Sequence, residues 1–306
     1  MRRHWVKGMK TRNKKKTNRL RPLVQFFSAL GLNLNLPGFI TGKIYTGPLK
    51  GVCVPVLNCY SCPGALGACP IGSLQSSLAT IGGKISYYVA GLLILFGVTL
   101  GRFFCGWICP FGWLQELLHK IPVKKCTVPL RIDRPLRWMK YVILLVFVIG
   151  LPLLLRTPVG MSAPYFCKWI CPAGTLEGGV SLALANGQVL SSLGGMFLWK
   201  ACVLIAVLVA CLVIYRPFCK YVCPLGAFYG LFSRFALYRY ALEASACTGC
   251  GACKRNCPMG VDPVKNPNDA ECIRCGDCIK TCPHGALHVC GKKKAPIVQQ
   301  SEGGTL

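Results

Sequence analysis

The sequence predicts a membrane-embedded α-helical protein, with four transmembrane helices in two parallel repeats and a small α+β domain at the C-terminus. Three observations lead to this prediction: an apolar composition with a high positive charge, a duplicated unit, and 22 cysteines in short runs. The 306 residues are 53% hydrophobic, with a mean hydropathy of +0.47 and a formal net charge of +27. A nucleic-acid-binding protein would carry the charge without the apolar content, so we expect membrane lipid, not nucleic acid, around the chain.

Four apolar segments are candidates for the spans: residues 23–40, 85–100, 136–155 and 196–215. Their lengths are at or slightly below what a helix needs to cross the apolar core of a bilayer. The first is the weakest, because Asn33, Asn35 and Pro37 interrupt it.

A repeat supports this first span. Residues 104–112, FCGWICPFG, follow the second apolar segment, and residues 218–226, FCKYVCPLG, follow the fourth. An Arg-Pro-Leu triplet likewise opens the first and third segments. We therefore expect one two-span repeat over residues 21–133 and a second over 134–236, related by an axis along the membrane normal.

The charge distribution predicts the orientation. Of the 36 Lys and Arg residues, 30 lie in segments on one side of the four spans. The positive-inside rule places that side, with both termini, in the cytoplasm of a multi-pass inner-membrane protein. We further expect a basic cytoplasmic arm over residues 1–20, a separate domain over 237–290 and a disordered tail over 291–306.

The C-terminal cysteines give the strongest motif. The spacing C-x2-C-x2-C-x3-C-P occurs twice in succession, and it resembles that of bacterial two-cluster ferredoxins. That resemblance implies two [4Fe-4S] clusters, each held by three thiolates of one run and the last thiolate of the other: Cys247, Cys250, Cys253 with Cys282, and Cys272, Cys275, Cys278 with Cys257. Two zinc knuckles are the alternative, but structural zinc usually uses two separated ligand pairs.

A second motif, C-x3-C-P, follows the second and fourth spans. It supplies Cys105 and Cys109 in the first repeat, and Cys219 and Cys223 in the second. If the repeats pack side by side, these four thiolates meet and can hold a third [4Fe-4S] cluster. The alternative is that they are buried apolar cysteines, a common fate of free cysteine.

The predicted outer loops carry five more candidate ligands: Cys59, Cys62, Cys69, Cys167 and Cys171. Four of them could hold an outer cluster, although outside the cytoplasm disulfides are a real alternative. Both Cys62 and Cys69 can be aligned with Cys171, and the sequence does not decide between them. An outer cluster also raises a distance problem, because an apolar core about 30 Å thick would separate it from the inner one.

Taken together, the ordered motifs over about residues 20–285 resemble the membrane polyferredoxins of the NapH and NosR type. The resemblance implies a membrane-bound iron-sulfur electron-transfer protein without a catalytic centre of its own. It would relay electrons between the quinone pool, or an outer-face partner, and a cytoplasmic redox partner or oxidoreductase subunit. Two alternatives stay open: a transmembrane thiol-disulfide relay that uses Cys59 and Cys62, and an accessory or assembly factor for a metalloenzyme.

Overall fold

The computed structural model describes residues 20–80, 85–126, 128–155, 158, 161–186 and 194–291. Almost all of the predicted basic arm and of the predicted tail lies outside these ranges. The described chain is helical up to residue 232 and ends in a small α+β unit. The helices are α1 Leu20–Leu32, α2 Leu36–Thr41, α3 Pro70–Ala79, α4 Tyr87–Leu100, α5 Phe103–Trp107, α6 Pro110–His119, α7 Leu130–Ile143, α8 Leu151–Leu154, α9 Tyr165–Trp169, α10 Ser181–Ala185, α11 Gly195–Val213, α12 Pro217–Tyr221, α13 Pro224–Phe232, α14 Ala252–Asn256 and α15 Asp277–Thr281.

Among the described residues, two helical stretches are long and apolar enough to cross a membrane. The first runs over Arg131–Leu154, where a π-helical segment, Leu144–Gly150, joins α7 to α8. The second is α11, with 19 residues. Both leave large apolar side chains exposed, such as Leu145 and Leu198, which lipid would cover.

The other two predicted spans form shorter apolar helices, α1 and α4, with 13 and 14 residues. The first predicted segment does not form one helix. α1 ends at Leu32, and α2 begins after Asn35, with Pro37 in its first turn. The amide of Asn33 donates back to the carbonyl of Ala29 at 3.0 Å, and that of Asn35 donates to Pro63 at 2.7 Å. Side-chain bonds to the backbone therefore compete with helix continuation at this point.

One local unit occurs three times in the described chain, after α4, after the stretch from α7 to α8, and after α11. A five-residue helix carries a cysteine at its third position, and a second cysteine four residues later is the N-cap of the next helical segment, whose first residue is proline. Proline suits this position because its missing N–H has no intrahelical partner there. The three units contain the cysteine pairs 105/109, 167/171 and 219/223.

The C-terminal unit is closed by a two-stranded antiparallel sheet. Strand β1, Tyr240–Leu242, pairs with β2, Leu287–Val289, in the register Tyr240 to Val289. The helices α14 and α15 lie between the two strands in sequence and pack against each other. Each helix begins after a glycine with positive φ. The predicted α+β character of this region matches the observed elements.

Buried charges join this unit to the helical bundle. Both Arg102, from the helical part, and Lys140, from α7, form ion pairs with the carboxylate of Glu271; the Arg102 pair is 2.9 Å long. Burial by itself raises the pKa of a carboxyl, but these two cations outweigh it and hold the pKa of Glu271 below its ordinary value. The side chain of Arg274 adds bonds to the carbonyls of Leu100 at 2.7 Å and Ser233 at 2.9 Å.

The Glu271 pairs lead to a stability prediction. Glu271→Ala leaves two buried cations without their carboxylate, so we expect a loss of about 3 to 5 kcal/mol in the free energy of unfolding. The thermal unfolding midpoint of the detergent-solubilised protein measures this loss. Asp262→Ala is the matched control: its partner Lys254 is well exposed, so it should cost about 1 kcal/mol or less. Equal midpoints in the two variants would contradict the prediction.

Candidate metal centres

The two C-x3-C-P pairs of the predicted inner face meet across the bundle. Cys105 and Cys109 line one small enclosed pocket together with Cys219 and Cys223, and all four are buried. We call these four the inner set. The approach brings together residues that lie more than a hundred positions apart in sequence, as the repeat predicted.

Neighbouring groups donate hydrogen bonds to the inner thiols. The backbone N–H of Gly112 donates to Sγ of Cys109 at 3.4 Å, and that of Gly226 donates to Sγ of Cys223 at the same distance. The side-chain amide of Gln115 donates to Sγ of Cys219 at 3.1 Å. Donors aimed at sulfur stabilise thiolate and are the usual surroundings of a sulfur-ligated metal centre.

In the C-terminal unit, two groups of four cysteines each surround a pocket. One pocket is lined by Cys247, Cys250, Cys253 and Cys282, the distal set. The other is lined by Cys257, Cys272, Cys275 and Cys278, the proximal set. Each contains three cysteines of one run and the last cysteine of the other run, which is the grouping implied by the resemblance to two-cluster ferredoxins.

Four of the five outer candidates also share a cavity. A cavity of about 760 Å³ is lined by Cys59, Cys69, Cys167 and Cys171, which we call the outer set. Cys69 and Cys171 are both N-caps of helices that begin with proline, so the structure aligns Cys69, not Cys62, with Cys171. The N–H of Gly174 donates to Sγ of Cys171 at 3.3 Å, as the corresponding glycines do in the inner set.

Polar side chains six residues after these N-caps complete the outer set. Gln75 donates to Sγ of Cys167 at 3.5 Å, and it occupies the position that Gln115 has in the inner unit. Glu177 accepts a hydrogen bond of 2.7 Å from the N–H of Cys59. Burial raises the pKa of Glu177 to about 7. The outer and inner sets are therefore built alike, but an acidic side chain lies beside the outer one.

Cys62 does not join the outer set, although the sequence made it a candidate ligand. The N–H of Cys62 donates to the carbonyl of Cys59 in a tight turn, and Cys62 does not line the cavity. The thiol instead contacts the amide oxygen of Asn33, at 3.6 Å. In the described part of the chain, Cys59 and Cys62 are both free thiols.

Two buried arginines belong to the inner site and were not predicted. The guanidinium of Arg102 donates to the carbonyl of Cys219 at 3.0 Å, and that of Arg216 donates to the carbonyl of Cys105 at 2.5 Å. Each arginine therefore contacts the cysteine of the other unit. The signal was present in the sequence, because both stand three residues before the first cysteine of their motif.

Comparison with known proteins gives the family. Two families described as 4Fe-4S binding domains match: one at residues 85–129, 139–186 and 196–239, the other at 266–288. The ferredoxin-type protein MauN of Methylorubrum extorquens is 30% identical over 230 residues, 71% of this chain and 70% of MauN. The chain belongs to the ferredoxin-type 4Fe-4S binding proteins. The resemblance inferred from the cysteine motifs is confirmed.

Two further relatives of this iron-sulfur family are YccM and NapH, both of Escherichia coli. YccM is 31% identical over 215 residues, 65% of this chain, and NapH is 25% identical over 248 residues, 78% of this chain. The alignments span 55% of YccM and 74% of NapH, and 60% of a similar Methanocaldococcus jannaschii protein. The regulatory protein NosR of Pseudomonas aeruginosa also matches. No solved structure matches the chain.

The four thiol sets fit [4Fe-4S] clusters better than single metal ions. Among the described residues, no group of three His, Cys, Asp or Glu side chains is close enough to hold one ion. A zinc ion would draw four sulfurs to about 2.3 Å from one centre, whereas a four-iron cluster keeps its cysteine ligands farther apart. Moreover, Nη2 of Arg216 and Nε of Arg102 are buried without a hydrogen-bond partner among the described residues, as expected beside an anionic group.

The outer set leads to a prediction about iron content. Cys59→Ser should remove about four irons per chain, because Cys59 lines the outer cavity, whereas Cys62→Ser should keep the wild-type content. Iron and acid-labile sulfide are counted after anaerobic purification in detergent. Equal loss in both variants, or no loss in Cys59→Ser, would show that the outer cavity does not hold a cluster.

Proposed function

We propose that this chain is a membrane-bound electron-transfer protein that relays electrons between a cytoplasmic redox partner and the opposite half of the membrane. The observation that carries the proposal is the order of the four thiol sets, which lie in series from the C-terminal unit into the bundle. In each set a bound [4Fe-4S] cluster would supply reversible one-electron transfer. The protein would have no catalytic centre of its own.

At the C-terminal end, the contact between the proximal and inner sets is close. Ile273, which lines the proximal pocket, packs its carbonyl against Gly106, the neighbour of Cys105. A Cβ at Gly106 would lie only 2.1 Å from that carbonyl oxygen, so a side chain here would push the two sets apart. The indole N–H of Trp107 donates to the carbonyl of Arg274 at 2.9 Å and fixes the same contact.

Within the bundle, the inner and outer sets are also neighbours. Leu57 lines both the inner pocket and the outer cavity, so one layer of side chains separates them. Tyr229 packs in the same core, and its hydroxyl donates to the carbonyl of Pro55 at 3.2 Å. This shared lining favours a separation smaller than the full apolar core, because the segment around Leu57 enters the bundle.

For the arrangement in the membrane, we propose that α1, α4, the stretch from α7 to α8, and α11 are four spans in two parallel repeats. Their order along the chain and the C-x3-C-P unit that follows the last three of them support this, as does the charge bias toward one side. Both termini and the C-terminal unit would then be cytoplasmic, and α1 and α4 would cross a locally thinned bilayer because they are short.

At the outer end, we propose that a quinone is the redox partner. The cavity beside the outer set is large and mainly apolar, with a few serine hydroxyls and the ammonium group of Lys200 at its wall. Apolar cavities with a few polar groups are typical of small-molecule sites. The similarity to ferredoxin-type proteins such as MauN supports an electron-transfer role.

The relay can be tested in vesicles that enclose ferricyanide. Dithionite added outside should reduce the enclosed ferricyanide through copies whose C-terminal unit faces outward. The Cys105→Ser, Cys219→Ser double variant should lower the rate of ferricyanide reduction to that of protein-free vesicles, because the inner set is in the middle of the series. The control is Cys202→Ser with Cys290→Ser, two exposed cysteines outside the sets. Protease removal of the C-terminal unit reports the orientation. An inner-set variant that conducts like the wild type would exclude the relay.

The cavity can be tested separately with a short-chain benzoquinone. Ser77→Trp narrows the cavity and should slow quinone reduction by the pre-reduced protein about tenfold, which corresponds to about 1.4 kcal/mol of lost binding, while the iron content stays unchanged. Ser245→Trp, on the exposed surface of the C-terminal unit, is the control. An unchanged rate in Ser77→Trp would place the quinone elsewhere.

A further inference from the structure

The two C-x3-C-P units of the inner set and the one of the outer set share their local architecture but differ at the position three residues before the first cysteine. Three residues before the first cysteine, the two inner units have Arg102 and Arg216, whereas the corresponding outer unit has Pro164. The phenylalanine directly before each of these cysteines is buried in all three units. The arginines are therefore not required to build the unit, since the outer one forms without them.

The guanidinium groups lie against the inner set itself. Both arginines are completely buried, and Arg102 lines the inner pocket. Glycines leave room for them: a Cβ at Gly226 would lie 3.3 Å from Nη2 of Arg102, and one at Gly112 would lie 3.1 Å from Nη1 of Arg216. These are the same two glycines whose N–H groups donate to the inner thiols.

The backbone at Arg216 indicates that the position of this side chain is specifically held. Arg216 has φ 48° and ψ 53°, a left-handed conformation that is unfavourable for a residue with a Cβ. Asparagine or glycine would adopt it more readily. Strained residues of this kind persist where the surrounding structure fixes them, and they are concentrated at functional sites.

The buried charges around the inner set do not balance. Glu116 pairs with Arg21 and Arg216, and Glu271 pairs with Arg102 and Lys140. Four cations thus share two carboxylates, an excess of two positive charges in a region shielded from water. Such an excess is costly unless an anionic group lies beside it, and four thiolates with their cluster would be that group.

We propose that Arg102 and Arg216 raise the reduction potential of the inner site. Reduction adds one electron, hence one negative charge, to the group bound by the four thiolates, and a fixed buried cation stabilises the reduced form more than the oxidised form. The outer set has Pro164 at the matching position and Glu177 beside Cys59, and the cation at its cavity wall, Lys200, is only partly buried, so it lacks this fully buried pair. The inner site would then be the electron-accepting member of the two. This inference rests on the proposed cluster at the inner set.

The test is a redox titration of the purified full-length protein, followed by electron paramagnetic resonance. The inner signal is the one missing from the Cys105→Ser, Cys219→Ser variant. Arg216→Gln removes the charge but keeps an amide donor, so the inner midpoint should move to a more negative potential while the iron content stays at the wild-type value. Arg216→Lys keeps the charge and should retain the wild-type midpoint. Lys254→Gln removes an exposed charge on α14, which carries Cys253 of the distal set, and should leave the inner midpoint unchanged.

Each outcome decides between electrostatic and structural roles. An unmoved inner midpoint in Arg216→Gln, or equal shifts in Arg216→Gln and Arg216→Lys, would overturn the proposal. If Arg216→Gln loses about four irons, the Arg216→Lys variant decides between the two roles. If Arg216→Lys keeps its iron and the wild-type midpoint, the site needs the positive charge. If both variants lose the iron, the role of Arg216 is structural and the proposal is overturned. A wild-type protein without an inner signal would instead refute the proposed function.

Discussion

The structure depends on a simple constraint: no cysteine motif in this chain supplies all four thiols of one set. Each C-x3-C-P unit supplies two thiols, and each run of the C-terminal unit supplies three to one set and its last to the other. Every site is therefore completed by a segment that is distant in sequence. Because ligand binding and chain packing are then the same event, cluster assembly and folding must be strongly coupled.

Buried charges between the bundle and the C-terminal unit fix how these two parts pack together. Buried ion pairs gain little stability over apolar packing, but they penalise any arrangement that separates the partners. Here Glu271 lies directly before Cys272, and its partner Arg102 also bonds to the carbonyl of Cys219. One arginine thus connects the backbone of the inner set to the segment that begins the proximal set. The ion pair between Arg102 and Glu271 therefore fixes the spacing of these two sites, because separating the partners would leave a buried charge without its counter-ion.

The segment of residues 53–58 brings the inner pocket and the outer cavity close together. Packed into the bundle, it places Leu57 between the inner pocket and the outer cavity and brings Cys59 to the outer set. The short helices α1 and α4 are compatible with this packing, because the segment of residues 53–58 fills the volume beside them. The inner pocket and the outer cavity are therefore separated by a single layer of side chains.

The sequence by itself determined what local spacing encodes. Its duplicated Cys-Pro motifs predicted the ferredoxin character and the meeting of Cys105 and Cys109 with Cys219 and Cys223, because repeats place equivalent residues at equivalent sites. Its hydropathy identified the helical stretches but overestimated the first, since side-chain bonds of Asn33 and Asn35 end that helix. Domain limits and orientation remain predictions.

Only the tertiary structure decided which of the outer cysteines share a cavity. Cys62 and Cys69 carry the same Cys-Pro signature, and a turn that no pattern encodes directs Cys62 toward Asn33. It likewise decided that Arg102 and Arg216 contact the opposite unit, and that Leu57 lies between two sites. Motif spacing specifies chemistry along the chain, whereas these contacts depend on how segments far apart in sequence pack in three dimensions.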